Sequence, residues 1–213
     1  MLTSYRTIKS AGVHEIVIQK SRFITHIERV DTVGAATLFI EKIKKQHWNA
    51  THNCSAYIVG ELGAMQKAND DGEPSGTAGI PMLEVLKKRE IRNTVVVVTR
   101  YFGGIKLGAG GLIRAYGGAV SETLAHVGLV ERKQMQVVEI IVDYPLHGKI
   151  EHELHHANYQ VKQTHFSEKV KVDILVEVAD CDHFIAWMTN ITNGNLTTTL
   201  GDLEYVEVDL LEE

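Results

Sequence analysis

The chain has 213 residues, 44% of them hydrophobic and 23% charged, with a net charge of −5. This is globular composition, sufficient for two ordinary domains or one large one, and it excludes a disordered chain and a uniformly basic nucleic-acid binder. No run approaches the roughly 20 apolar residues of a membrane span, the opening MLTSYRTIKS lacks a signal core, and Cys54 and Cys181 lie far apart, so a cytoplasmic protein without disulfides or a zinc–cysteine cluster is expected.

The average charge conceals a division. Residues 1–133 carry 18 Lys+Arg against 12 Asp+Glu, a net +6, whereas residues 134–213 carry 4 against 15, a net −11. Either a basic domain meets an anionic partner beside an acidic domain that does not, or that meets a basic one, or two solvated surfaces merely differ in sign.

Taken in order, His14 to Lys20 and Arg22 to Ile27 alternate as two short strands. Asp31 is placed to cap a helix running from Val33 to about His47, with Ala36, Phe39, Ile40 and Ile43 on its apolar face and Lys42, Lys44 and Lys45 in its last turns. Asn53 to Val59 and Met65 to Ala68 read as a hairpin. The stretch Asn69 to Gly79 is nearly devoid of hydrophobic residues and must be a loop; Pro81 then opens a helix to about Glu90.

Val95 to Val98 is an unbroken β-branched run, expected as a strand buried on both faces and stopping at Thr99, Arg100 and Tyr101. Five glycines follow, Gly103, Gly104, Gly108, Gly110 and Gly111, before a helical pattern through Leu112, Ile113, Tyr116 and Val120. Glycine allows close approach to the backbone, and a helix start attracts anions, while Arg100, Lys106 and Arg114 place three cations around this loop. A tight turn with close helix packing is the alternative use of the same glycines. Neither NTPase nor dehydrogenase chemistry is encoded: Lys106 is followed by Leu107 rather than Ser or Thr, and Ile113 stands where a dinucleotide fingerprint needs Gly or Ala.

Past Arg132 the pattern restarts. Strand Met135 to Asp143, a helix from Pro145 to about Ala157, strands Tyr159 to Phe166 and Val170 to Val178, a helix capped by Asp180 or Asp182 and closed by Gly194, and a last strand Leu196 to Asp209 give the order β-α-β-β-α-β. The expected organisation is α+β, with domains at 1–132 and 133–213, the second ferredoxin-like.

Several constellations compete for chemistry. His152-Glu153-Leu154-His155-His156 matches H-E-x-x-H, but no third ligand stands at a recognised spacing, so incidental metal binding by His152 and His156 is the better reading and no metal or other cofactor is assigned. Asp70, Asp71 and Glu73 can offer hard oxygen ligands to a cation, although Asp-Gly and Pro-Ser-Gly are ordinary turn chemistry. Ser75 lacks a nucleophile elbow, and His52 with Cys54 is too little for a thiol enzyme. Tyr101, Phe102 and Tyr116 lie beside cations and can stack on bases.

The blocks Asp70 to Gly79 (DDGEPSGTAG), Pro81-Met82-Leu83, Val97 to Gly108 (VVTRYFGGIKLG) and Ala50-Thr51-His52-Asn53 closely resemble the IMPACT family, its bacterial YigZ-like members in particular. The resemblance is strong to about residue 130 and looser beyond. It implies a ribosomal protein S5 domain 2-like fold for the first domain, similar to domain IV of elongation factor G, and a second domain similar to domain V of that factor. Eukaryotic relatives regulate translation through an additional RWD domain that this sequence does not show, so kinase regulation is not carried over. The signature residues carried over are Asp71, Glu73, Gly76, Thr77, Arg100, Tyr101, Gly103, Gly104, Lys106, Gly108, Gly111, Arg114 and Tyr116.

The resulting expectation is a non-enzymatic, translation-associated protein that contacts RNA or the ribosome through the two glycine loops. Arg100, Lys106 and Arg114 hold phosphates and Tyr101 stacks, while no catalytic residue is assigned. Two alternatives stand beside it. One is an enzyme acting on a phosphorylated or nucleotide-like small molecule, with Asp71 or Glu73 as base and Lys106 as anion clamp. The other is an adaptor that binds protein through the acidic second domain.

Overall fold

A computed structural model describes residues 3–210. They form two compact units, one made of the residues up to Arg132 together with those from Glu207 onward, the other of Lys133–Val206. Among the described residues no helix is long and apolar enough to cross a membrane.

The first unit contains β1 (Ser4–Ile8), β2 (Gly12–Ile18), β3 (Ser21–Arg29), α1 (Val33–Gln46), β4 (His52–Val59), β5 (Met65–Asn69), α2 (Gly79–Lys88), β6 (Thr94–Tyr101) and α3 (Gly108–Val127). Its antiparallel sheet has the order β2-β3-β6-β4-β5, with β6 central. The valine run of β6 is buried on both faces because helices cover both. Val96 and Val98, with Cys54, Ala56 and Ile58 of β4, pack under Met82 and Leu86 of α2 and Leu112, Tyr116 and Val120 of α3. Val95, with Tyr57 and Val59, packs under Ala36, Phe39 and Ile40 of α1. Each fully buried Val, Leu or Phe side chain contributes about 1.5–3 kcal/mol relative to exposure.

Three expectations are corrected here. The strand does not stop at Thr99 but runs through Tyr101, paired on both edges as far as Arg100, because its polar side chains find partners inside the fold. The cap of α1 is Thr32, whose Oγ1 accepts from the Ala35 N–H at 3.1 Å; Asp31 stands one residue too early to reach the first turn. A first strand, β1, precedes those expected; its two apolar residues in five give only a weak alternating signal.

The second unit contains most of β7 (Leu129–Val142), then α4 (Tyr144–His156), β8 (Gln160–Phe166), β9 (Val170–Glu177) and α5 (Cys181–Ile191), and most of β10 (Thr197–Leu210). Strand β7 pairs with β9 and β10, and β9 pairs with β8, giving the ferredoxin-like split arrangement. Its core joins Val138, Ile140 and Val142 to Ile150 and Leu154 of α4 and to Phe184 and Met188 of α5. Pro145 stands in the first turn of α4, where its missing N–H costs nothing. Asp180 precedes α5 without capping it, its carboxylate accepting instead from the Tyr159 hydroxyl at 3.2 Å. The fold is the mixed α+β, two-domain arrangement expected.

Candidate functional site

The site begins with the phase of β6. Successive side chains of a strand point to opposite faces, so Arg100 joins Val96 and Val98 on the α2/α3 face while Tyr101 joins Thr99 on the α1 face. Register places Arg100 opposite Phe23 of β3 and His52 of β4. The strand exit is then fixed, because the Thr51 N–H donates to the Arg100 carbonyl (2.9 Å) and Thr51 Oγ1 accepts from the Phe102 N–H (3.1 Å).

Arg100 is buried at 5% exposure, its guanidinium lying between the Phe23 and Phe102 rings with centroids 5.4 and 5.5 Å away. Its Nη1 donates to Glu73 Oε1 at 2.7 Å, and the same oxygen accepts from the Tyr116 hydroxyl at 2.8 Å. Glu73 is itself buried, so this ion pair carries the desolvation cost of two charges and stands only because hydrogen bonds satisfy them. Cys54 lies beneath, its Sγ–H 3.3 Å from the Tyr116 oxygen and 3.0 Å from the Asp70 carbonyl. Burial pushes the Cys54 thiol up to about 12 and raises the Tyr116 phenol far above its ordinary value, so neither ionises at neutral pH.

The loop that delivers Glu73 is tied down by two aspartates. Asp70 accepts from the backbone N–H groups of Gly76 (2.8 Å), Ala78 (3.1 Å) and Gly79 (2.8 Å). Burial alone pushes its carboxyl up, but these amides hold it below the usual carboxylate value. Asp71, at φ +46°, accepts from Lys44 Nζ at 2.5 Å and from the Asn53 N–H at 2.7 Å. Thr77 is buried and donates to the Pro74 carbonyl at 2.6 Å. The acidic loop is therefore folded inward onto cations and amides.

His52 Nδ1 donates to the Asp71 carbonyl at 2.9 Å, and His52 Nε2 lies 3.7 Å from Glu73 Oε2. A cleft of about 380 Å³ opens over these groups, walled by Phe102, Lys106, Leu107, Gly108 and Ala109. Helix α3 begins at Gly108, about one turn earlier than its apolar pattern from Leu112 suggests, so Gly110 and Gly111 lie inside its first turn. Leu107, its cap residue, makes no side-chain cap bond. Gly103 is required for close approach: a Cβ there falls 2.0 Å from the Lys20 carbonyl carbon. Gly76, Gly104 and Gly108 have positive φ.

The signature residues thus separate. Glu73, Arg100 and Tyr116 form one buried cluster, whereas Lys106 and Arg114 are exposed. Tyr101 belongs to the other face, where its hydroxyl donates to Asn49 Oδ1 at 3.3 Å and meets His47 Nδ1 at 3.0 Å, and His47 Nε2 lies 3.0 Å from His26 Nε2. Trp48, between His47 and Asn49, is 82% exposed. Sequence reasoning passed over Trp48, His26, His47 and the loop-closing role of Asp70; a tryptophan immediately after a polar helix end was the available signal for the first. On α4, the His152 and His156 rings lie 4.4 Å apart, and among the described residues no three His, Cys, Asp or Glu side chains gather as a metal-binding group.

A three-layer unit with a buried acid–arginine–tyrosine cluster, followed by a ferredoxin-like unit, defines a two-domain α+β protein. The family model of the Impact N-terminal domain matches residues 19–124, and that of a domain of unknown function, DUF1949, matches residues 140–195. IMPACT family member YvyE of Bacillus subtilis is 60% identical over 207 residues, covering 97% of this chain and 95% of its own. IMPACT family member YigZ of Escherichia coli is 34% identical over 181 residues, covering 84% and 89% respectively. A solved crystal structure described as that of a hypothetical protein is 29% identical with a TM-score of 0.59, covering 95% of this chain and 99% of its own. The chain belongs to the IMPACT family.

Proposed function

We propose that this protein is translation-associated and binds RNA or the ribosome through the surface formed by residues 102–108 and the start of α3. The observation that carries the reading is that Lys106 and Arg114 are exposed beside the uncapped start of a 20-residue helix, while Arg100 and Glu73 neutralise one another beneath. Helix starts present unpaired N–H groups to anions, and exposed lysine and arginine supply the phosphate attraction. Phe102, 47% exposed, adds aromatic surface on which unpaired bases can stack. Arg100 then positions Phe102 and the strand exit, and Lys106 and Arg114 meet the phosphates. Membership of the IMPACT family supports the translation side of the reading.

The test is binding of the purified chain to ribosomes, separated subunits and a structured RNA across a salt series. Affinity is expected to fall steeply with salt, and Lys106→Glu is expected to weaken binding at least tenfold at low salt and to lower the salt slope by about one. Binding that ignores both salt and Lys106 overturns the proposal, as does its absence at low salt.

A further inference from the structure

The floor of the cleft holds two hydrogen-bond acceptors that the protein leaves unused. Glu73 is 7% exposed; its Oε1 accepts from Arg100 and Tyr116, whereas Oε2 lies 3.7 Å from His52 Nε2, beyond hydrogen-bond reach, and has no hydrogen-bond partner among the described residues. His52 Nδ1 faces the Asp71 carbonyl and must be the donor there, so Nε2 of the neutral ring carries a lone pair. Both residues line the cleft, and neither unpaired atom is sealed from solvent as Arg100 Nε is. A buried carboxylate oxygen without a donor is uncommon, and here a second acceptor stands beside it. Such a pair is matched by a partner that carries two donors on neighbouring atoms.

The rim supplies the opposite chemistry. Lys106, Gly108 and Ala109 bring to it a cation and N–H groups from the start of α3, where no intrahelical carbonyl is available to them. Among the charged side chains that line the cleft, Arg100 and Lys106 outnumber Glu73, and Arg100 already neutralises Glu73. A cation at the floor therefore meets net positive charge, whereas a ligand with neutral donors at one end and an anion at the other suits both ends. Phe102 and Leu112 add apolar wall, and about 380 Å³ falls within the range of small-molecule sites.

We propose that this cleft binds a ribose 5-phosphate unit with a free cis-diol, either in a ribonucleotide or at the 3′ end of an RNA. One of the 2′ and 3′ hydroxyls donates to Glu73 Oε2 and its neighbour to His52 Nε2, while the phosphate lies against Lys106 and the α3 amides. Carboxylates hold ribose hydroxyls in other nucleotide sites, and adjacent hydroxyls present two donors side by side. Deoxyribose and a 3′-phosphorylated end each lack one of the two donors. The base is left to Phe102, whose flat face accepts any of them. The inference goes beyond the RNA-surface reading and stands without it.

The experiment is calorimetry and thermal unfolding of the full chain with AMP, 2′-deoxy-AMP, 3′-deoxy-AMP, ribose 5-phosphate and inorganic phosphate. AMP is expected to bind more tightly than either deoxy form by about tenfold or more, because a site built around a hydroxyl rejects the analogue without it. Equal affinity for the three overturns the diol assignment, and no binding by any ligand overturns the site. His52→Leu is expected to abolish the penalty of one deoxy form and keep that of the other, with the affinity for the former unchanged. Retention of both penalties overturns the role of His52. Ala109→Glu places a carboxylate at an exposed helix start, where it suits the helix, so the free protein keeps or raises its melting temperature while AMP binding is lost. Undiminished AMP binding by this variant overturns the phosphate placement. A short single-stranded oligoribonucleotide separates the sources: binding tighter than AMP that a 3′-phosphate removes assigns an RNA end, and weaker binding assigns a free ribonucleotide. Ribosome binding that depends on salt and Lys106, with none of these ligands bound, overturns this inference alone; ligand binding without ribosome binding overturns only the ribosome reading.

Discussion

His26 shows how a single buried side chain sets the acid limit of this fold. It is 6% exposed, and burial first, then His47 and Lys42, push its pKa down to about 4. The unfolded chain binds a proton near the ordinary histidine value of 6.5, so between there and about 4 the unfolded state holds more protons. Stability present above pH 6.5 is therefore lost progressively down to about pH 4, by up to ~3 kcal/mol from this residue. Urea unfolding from pH 7 to pH 4 measures it, and His26→Leu is expected to flatten that limb by removing the titrating group. A profile for His26→Leu as steep as that of the unsubstituted chain contradicts the assignment. Nothing in the sequence distinguished His26 from the ten other histidines, because its neutrality comes first from burial and then from the ring of His47, 21 positions away, and folding alone supplies both.

Strand β6 and the glycine run after it divide into parts read directly and parts concealed. The valine run identifies a strand buried on both faces because β-branched residues without alternation have few other uses. The end of the strand was concealed: Thr99, Arg100 and Tyr101 look like a surface turn until Asn53, Glu73 and His47 are brought to them from other elements. The glycines similarly look alike in sequence and differ in space. A Cβ at Gly103 meets the Lys20–Ser21 backbone at 2.0–2.4 Å, whereas at Gly118, inside α3, it meets nothing within 4 Å. Gly103→Ala must push the β2–β3 turn from the strand exit and is expected to cost about 1–3 kcal/mol. Gly118→Ala is expected to stabilise by about 0.5–1 kcal/mol through helix propensity. Chemical denaturation of the two variants checks the contrast, and equal effects refute it. The H-E-x-x-H match on α4 shows the limit of a short motif, since five letters specify a helix face but not the third ligand.

Across the chain the apolar residues make three cores, two in the first unit, under α2 and α3 and under α1, and one in the second, under α4 and α5. Met82→Ala and Leu154→Ala, both at fully buried positions, are each expected to cost about 2–5 kcal/mol. Hydrogen exchange is expected to show protection lost in the substituted core and retained in that of the other unit; loss in both units for either substitution refutes separate cores. The α+β class and ferredoxin-like order were open to sequence reading because hydrophobic periodicity is local. The cleft was not, because its groups come from β4, the 69–79 loop, β6 and α3. One consequence concerns descent. Since β6 sends Arg100 to one helix layer and Tyr101 to the other, deleting or inserting a single residue among its valines exchanges the two destinations. Relatives can vary which β-branched residue occupies each place, but their lineage can change the number of those places only in pairs.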